Sequence, residues 1–436
     1  MKHLIKLFYS LLLGIIVCSC SQHELMQEKE EVIRPNETKI SIDEARTNLL
    51  KLLAELEPQR TKANADVRGI ESGFSLPVGN SSTRCGESES EVYVFNFTDN
   101  QGYAIMSDDV RLPELIALAD SGCISEDVPI ENPGVADFLN GMDNVYTGIS
   151  GDNFGDLLNP ELDHDANETY NVYGEWENVV YAINGYCPVK WGQSSPYNNY
   201  CPLIEGKRSV TGCVATAVAQ LMAVYKWPLS YNGYNFPWDS MISKRYAFNL
   251  PSETQNAIAR LMQQLGLSNN LNVSYGVKSS GAKKENVTRT LSSFGFSTPG
   301  TLKDYDIDDL ASEIQQGYPV LMFGYSFKRV TTFIGIKVQT SYEGGHAWLV
   351  HGLLERRRQV KTYSGNNLLN TRYETYLYPL CNWGWEGYQD GYYLSNAFDS
   401  TSGPVYDETT RADDNAENQQ EGNFQFKITQ ITGIRK

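Results

Sequence analysis

Histidine is scarce in this 436-residue chain: five are present, and His3 and His23 sit close to the N-terminus. A His-rich metal centre is not expected, and nothing calls for a cofactor. Positive charge is also in deficit. Lys and Arg number 36 against 53 Asp and Glu, a formal net charge of −17 at pH 7. Binding of nucleic acid is not expected, because phosphate neutralisation needs a basic face. The N-terminal apolar run is too short for the roughly 20 apolar residues a bilayer span takes, and no other segment could span one. No paired C-x-x-C, no regular cysteine framework and no internal repeat occur. Against these absences stand 41% hydrophobic residues and 27 tyrosines, which exclude a disordered chain. The length suggests two or three domains at about 100–200 residues each.

The N-terminus carries an address. Lys2 and Lys6 precede an apolar run from Leu11 to Val17, and the stretch closes on Val17-Cys18-Ser19-Cys20. A charged start, a short apolar centre and a small-residue exit describe a secretory signal. Val17-x-Ser19-Cys20 resembles a bacterial lipobox, which predicts cleavage before Cys20 and lipid on its sulfur; Cys18, preceded by Val17, lacks the small residue. An ordinary signal peptide is the plainer alternative. The expected parts are a signal at 1–19 and a Glu-rich flexible tether at 20–40.

Six cysteines then remain, Cys85, Cys123, Cys187, Cys201, Cys213 and Cys381. Export permits disulfides. Cys187 and Cys201 are spaced so that they could bridge a loop, but spacing alone does not fix pairing.

Ser41 with Glu44 reads as a helix start, and Ala45, Leu49, Leu50, Leu52 and Leu53 form an apolar stripe to about Leu56. Residues 57–90 read as a Gly/Ser-rich loop. Val92, Val94 and Phe95 lie in a strand, Asp99-Asn100-Gln101-Gly102 turns, and Tyr103 to Met106 returns. Residues 41–123 thus form a small α+β unit without catalytic clustering. An acidic, Pro- and Gly-broken stretch at 124–175 suits an exposed linker open to cleavage. From 176 to 436 a second unit is expected, helical first and strand-rich later. Thr401 to Asn423 reads as a polar surface loop and Phe424 to Ile434 as a closing strand.

The second unit carries the chemistry. Cys213 opens the helix Val214 to Tyr225, which is apolar on nearly every face and therefore buried. Thr211 or Gly212 caps it, placing Cys213 in the first turn, where the helix dipole and unpaired N–H groups favour a thiolate. A small buried core cysteine is the bland alternative. Gly344-Gly345-His346-Ala347-Trp348-Leu349-Val350-His351 reads as a turn into a buried strand. Strand side chains alternate, so His346 and His351 face opposite ways, and His346 is the better general base. Gln193, in the turn-rich loop after Trp191, offers a side-chain amide to an oxyanion beside the Cys213 N–H. Asn382 is placed to accept from the His346 ring, with Trp383 shielding that bond.

In these segments the chain resembles the streptopain family of bacterial cysteine peptidases, relatives of papain in fold. The matching strings are Trp191-Gly192-Gln193 with Pro196-Tyr197-Asn198, Thr211-Gly212-Cys213 to Ala217, Gly344-Gly345-His346-Ala347, and Asn382-Trp383-Gly384-Trp385. Tyr93 to Phe97 and Gly102 to Asp109 are similar to the family's inhibitory propeptide. The resemblance implies an α+β architecture: a papain-like domain, with a central buried helix on an antiparallel sheet, behind a small α+β prodomain. It implies Cys213 as nucleophile, His346 as base, Gln193 as oxyanion donor, and Asn382 and Trp383 as support. Ser280, Gly281 and Gly345 would line the substrate cleft, after the family-like Tyr275-Gly276 and Ser279-Ser280-Gly281-Ala282. The implied partners are protein or peptide substrates and the chain's own prodomain as an intramolecular inhibitor. A membrane would hold the precursor by its lipid, and the mature enzyme would be released extracellularly. Tyr325 to Glu343 and Glu355 to Tyr378 look longer than the family pattern, the latter as a hairpin turning at Ser364-Gly365-Asn366. The other readings are an amidase or acyl transferase acting on cell-wall peptides, and an inactive surface lipoprotein that keeps the fold.

Overall fold

The computed structural model describes residues 39–57, 68–77, 91–125, 169–181, 184–326, 344–398 and 428–436, with parts of 128–139 and 330–339. The signal, Cys20, Cys85, most of the tether and the 401–423 loop lie outside the described residues.

Helix α1 spans Ile42–Leu56, capped by Ser41, whose Oγ accepts from the Glu44 N–H at 3.2 Å. Ala45, Leu49, Leu52, Leu53 and Leu56 are buried. Leu50 is instead 42% exposed, because one residue past Leu49 the helix has turned by about 100°. Strands β1 (Ile70–Pro77), β2 (Glu91–Phe97), β3 (Tyr103–Ser107) and β4 (Leu115–Ala119) lie side by side, all antiparallel. The expected turn lies between β2 and β3, with Asp99 and Asn100 at φ 56°. Strand β1 corrects the loop expected at 57–90. Phe74 and Leu76 share one face of it, while a bulge between Ile70 and Ser72 puts Ile70 out of phase with them. Serines and a glycine fill the positions between, so no regular apolar period shows in the sequence.

The linker expectation also needs correction where residues are described. Ile124, Ile130, Val135, Phe138 and Leu139 are buried in the same core as the prodomain sheet. Their apolar side chains are diluted by acids and glycines in sequence but gather on packing. Strand β5 (Thr169–Tyr173) pairs with a long strand of the second unit, as does β6 (Glu177–Tyr181).

In the second unit, helix α2 (Cys213–Tyr225) is buried from Val214 to Ala223. Helices α3 (Ser252–Gly266), α4 (Asn286–Ser293) and α5 (Ile307–Gln315) follow, with β7 (Thr298–Asp304) before α5. The sheet is completed by β8 (Val320–Ser326), β9 (Gly344–Ser364), β10 (Asn367–Asn382), β11 (Gly391–Tyr393) and β12 (Thr429–Arg435). The β9–β10 hairpin turns at Gly365-Asn366, as the sequence suggests. A separate short hairpin pairs Val330–Phe333 with Ile336–Gln339.

The order β1-β2-β3-β4-β11-β10-β9-β8-β12-β7 makes one continuous sheet, because β4 of the prodomain pairs with β11 of the second unit. Alternation along β9 then serves two cores. Ala347 and Leu349 pack with α2, whereas Trp348 and Val350 enter the core shared with the prodomain. Each large apolar side chain so buried contributes about 1.5–3 kcal/mol. This is the expected α+β architecture, a buried helix on a mostly antiparallel sheet behind a small α+β unit.

Candidate active site

Cys213 sits at the first position of α2 because the chain turns sharply before it. Gly212, the N-cap, has φ +89°, and a Cβ there would lie 2.7 Å from the Ser280 carbonyl oxygen. Only glycine meets both demands. No side chain caps the helix. The Cys213 Sγ lies 3.8 Å from the carbonyl oxygen of Gly345, the residue before His346. Cys213, Gln193, Ser280, Gly281, Gly345 and His346 line one cleft of about 1140 Å³. The sequence thus anticipates which segments meet.

His346 is 4% exposed and stands at the start of β9. Its Nε2 is 3.1 Å from the Trp383 carbonyl oxygen. A carbonyl only accepts, so Nε2 carries the proton and Nδ1 of the neutral ring is bare. Burial pushes the imidazole down to about 4, against a smaller opposing effect of the Trp383 bond. The Trp348 ring stacks beside it at 6.1 Å, and the Trp383 indole is tilted at 6.2 Å.

The expected Asn382–His346 bond is not formed. The Asn382 Nδ2 donates to the Val189 carbonyl at 3.0 Å, and its Oδ1 accepts from the Gly384 N–H at 3.1 Å. That N–H belongs to the peptide whose carbonyl accepts from His346. Asn382 therefore acts one peptide away: its side chain holds the Trp383–Gly384 peptide, and the peptide holds the ring. Trp383 contributes more than a shield, since its backbone supplies the acceptor. Its indole Nε1 donates to the Gln389 carbonyl at 2.9 Å and packs on Trp348 and Tyr393.

Gln193 lines the cleft, and its backbone carbonyl accepts from the Thr211 N–H at 3.0 Å, joining the two loops that flank Cys213. Ser280 spends its hydroxyl on the fold: Oγ donates to the Val210 carbonyl at 2.7 Å and accepts from the Gly276 N–H. Gly281 pairs through both backbone groups with Ser274, and no atom lies within 4 Å of where its Cβ would be. Their contribution to the cleft is shape and space.

His351 is turned away from the cleft. Its Nδ1 accepts from the Cys187 N–H at 3.3 Å, and Gly185 packs against the ring. Burial pushes it down to about 3, with Lys190 adding to the effect. Cys187 and Cys201 do not bridge; both are thiols, pushed up by burial to about 12 and about 11. Sequence reasoning missed Trp348, Asp390 and Lys190, each of which reaches the histidine's surroundings only through the fold.

The first prodomain residues after β4 grip the loop that holds the ring. The Ser121 Oγ donates to the Gly387 carbonyl at 2.7 Å, and Asn132 Nδ2 donates to that of Tyr388 at 3.1 Å. Gly134 packs so closely on Trp383 that a Cβ would lie 2.0 Å from its Cε3. No described prodomain residue lines the cleft.

With this geometry in place, comparison with known proteins is direct. Residues 191–393 match the Peptidase C10 family and residues 37–145 the Spi protease inhibitor family. Streptopain of Streptococcus pyogenes serotype M1 is 26% identical over 358 residues, covering 72% of this chain and 76% of that protein. The thiol protease/hemagglutinin PrtT of Porphyromonas gingivalis is 28% identical over 156 residues, 35% of this chain and 17% of that protein. A solved prointerpain A fragment of Prevotella intermedia is similar in fold, with a TM-score of 0.50 at 22% identity, covering 84% of this chain and 99% of that one. The second unit thus matches the Peptidase C10 family and the first the Spi protease inhibitor, and the chain is a cysteine-type endopeptidase preceded by an inhibitory prodomain.

Proposed function

We propose that Cys213 is the nucleophile, His346 the general base and Gln193 an oxyanion donor of this peptidase. The observation that carries the reading is the shared cleft, together with a ring whose Nε2 is committed to Trp383, so that Nδ1 is the basic atom. In the reaction, Nδ1 takes the Sγ proton and the thiolate adds to the scissile carbonyl carbon. The Gln193 amide and the Cys213 N–H stabilise the oxyanion. The imidazolium then gives its proton to the leaving amine as the C–N bond breaks. Water, deprotonated by Nδ1, cleaves the thioester and restores the thiol.

A neutral, buried His346 is poorly suited to an ion pair, which agrees with a latent precursor. The test is alkylation of Cys213 by iodoacetamide at about pH 5, where an isolated thiol is inert. The processed enzyme should react, and the precursor and a His346→Ala variant should not. Cys213→Ala should leave the purified precursor uncut; self-maturation of that variant would overturn the assignment.

We further infer export with a lipid on Cys20, from the Lys2/Lys6 start and Val17-x-Ser19-Cys20. Maturation would cut within 140–168, since Leu139 is buried and β5 is paired. The lipid then stays with the prodomain, and release also requires parting the β4–β11 ladder. Detergent partitioning before and after processing tests this. A mature catalytic unit still lipidated at Cys20 would refute it.

A further inference from the structure

We propose that Asp390 is a positioning residue for His346, acting through the backbone of Trp383. This rests on the reading of His346 as the general base. Asp390 ends the loop that runs from β10 to β11, is 2% exposed, and points its carboxylate back across the loop. Its Oδ1 accepts from the Trp383 N–H at 3.0 Å. The carbonyl of the same residue is the acceptor of the His346 Nε2–H at 3.1 Å. Asp390 and Asn382 therefore clamp Trp383 from its two flanking peptides, the first at its own N–H and the second at that of Gly384. With both held, the carbonyl has one direction, and the imidazole one tautomer.

The charge on Asp390 is managed from two sides. The Lys190 Nζ lies 3.7 Å from Asp390 Oδ2 and 3.6 Å from Asp120 Oδ2 of the prodomain. The Asp120 N–H also donates to the Asp390 carbonyl at 2.7 Å. Burial raises the Asp390 carboxyl to about 6, with Lys190 and the Trp383 N–H opposing and Asp120 adding. The precursor thus makes one cation serve two carboxylates, and loss of the prodomain leaves Lys190 to Asp390 alone. A purely structural carboxylate would be indifferent to the histidine. This one is a single residue away from it along a hydrogen-bonded path.

The experiment is made on the full chain. In a Cys213→Ala precursor, nitrogen-15 NMR of the histidines reads the His346 tautomer directly, with His346→Ala to assign its signal among the five. Asp390→Asn keeps an acceptor for the Trp383 N–H and should preserve the Nε2-protonated form. Asp390→Ala removes it and should give mixed tautomers. In the catalytically intact chain, Asp390→Ala should lower kcat about tenfold or more with little change in KM, and Asn should recover most of that loss. A folded Asp390→Ala chain with wild-type tautomer and kcat overturns the proposal. So does a folded Asp390→Asn chain with a scrambled tautomer, which keeps the test decisive should the alanine variant fail to fold. Retained turnover in Cys213→Ala would instead sink the catalytic reading, and the tautomer readout would stand independently.

Discussion

His346 donates its Nε2–H to the carbonyl of Trp383, while the neighbouring Asn382 side chain holds the N–H on the far side of that same peptide. Orientation of the His346 ring is thus a property of a backbone segment rather than of one amide side chain. The loop bearing that segment is also where the prodomain takes hold.

Asn382→Ala should therefore act on turnover and not on binding, since Asn382 is not among the residues lining the cleft. Loss of the Gly384 anchor leaves a buried N–H unpaired, at a cost of about 1–3 kcal/mol. The expected result is a kcat lower by about tenfold with KM nearly constant, read by steady-state kinetics on a peptide substrate.

Gln193→Ala should slow the enzyme without silencing it. Removing one oxyanion donor costs about 10²–10³ in kcat, and the Cys213 N–H remains. Burst kinetics should show acylation slowed while Cys213 still alkylates at the wild-type rate.

Gly134→Leu places side-chain atoms where the Trp383 indole already lies. Overpacking of this kind costs about 1–3 kcal/mol, and it falls on the prodomain contact. The precursor should convert faster, by about fivefold or more, in a time course of processing. An unchanged rate would mean that this contact does not restrain the loop.

Acid should weaken the precursor through its buried histidines. His351 is held down at about 3, first by burial and then by Lys190, below the usual 6.5. Below about pH 6.5 the unfolded chain takes up a proton that the folded chain refuses, so stability falls as pH drops from there towards 3. His346 adds the same sign down to about 4, whereas Asp390, raised to about 6, works in the opposite direction above the usual carboxylate range. His351→Gln should flatten the dependence of unfolding free energy on pH by about 1.4 kcal/mol per pH unit in that window. Urea titrations of the Cys213→Ala precursor between pH 7 and 4.5 measure it.

The clearest local features were legible. Ser41 capping α1, the glycine turn into α2, the buried face of α2 and the hairpin at Gly365-Asn366 are each dictated by residues within a turn or two of one another. Strand β1 was hidden because serine and glycine interrupt its apolar period. The packing of Val135 and Phe138 was hidden because five scattered apolar residues carry no periodic signal until a surface exists for them to cover.

The chain by itself determined which residue types could do the chemistry: a cysteine at a helix start, a histidine entering a buried strand, and an amide loop before the helix. Those are short-range matters of dipole, cap and alternation. Only the tertiary structure decided what holds the histidine, because a backbone carbonyl has no signature in sequence, and Asp390, Lys190 and Asp120 come together only when β4 pairs with β11. Hydrogen bonds to the main chain depend on where the peptide points, and that is fixed by packing across the whole sheet.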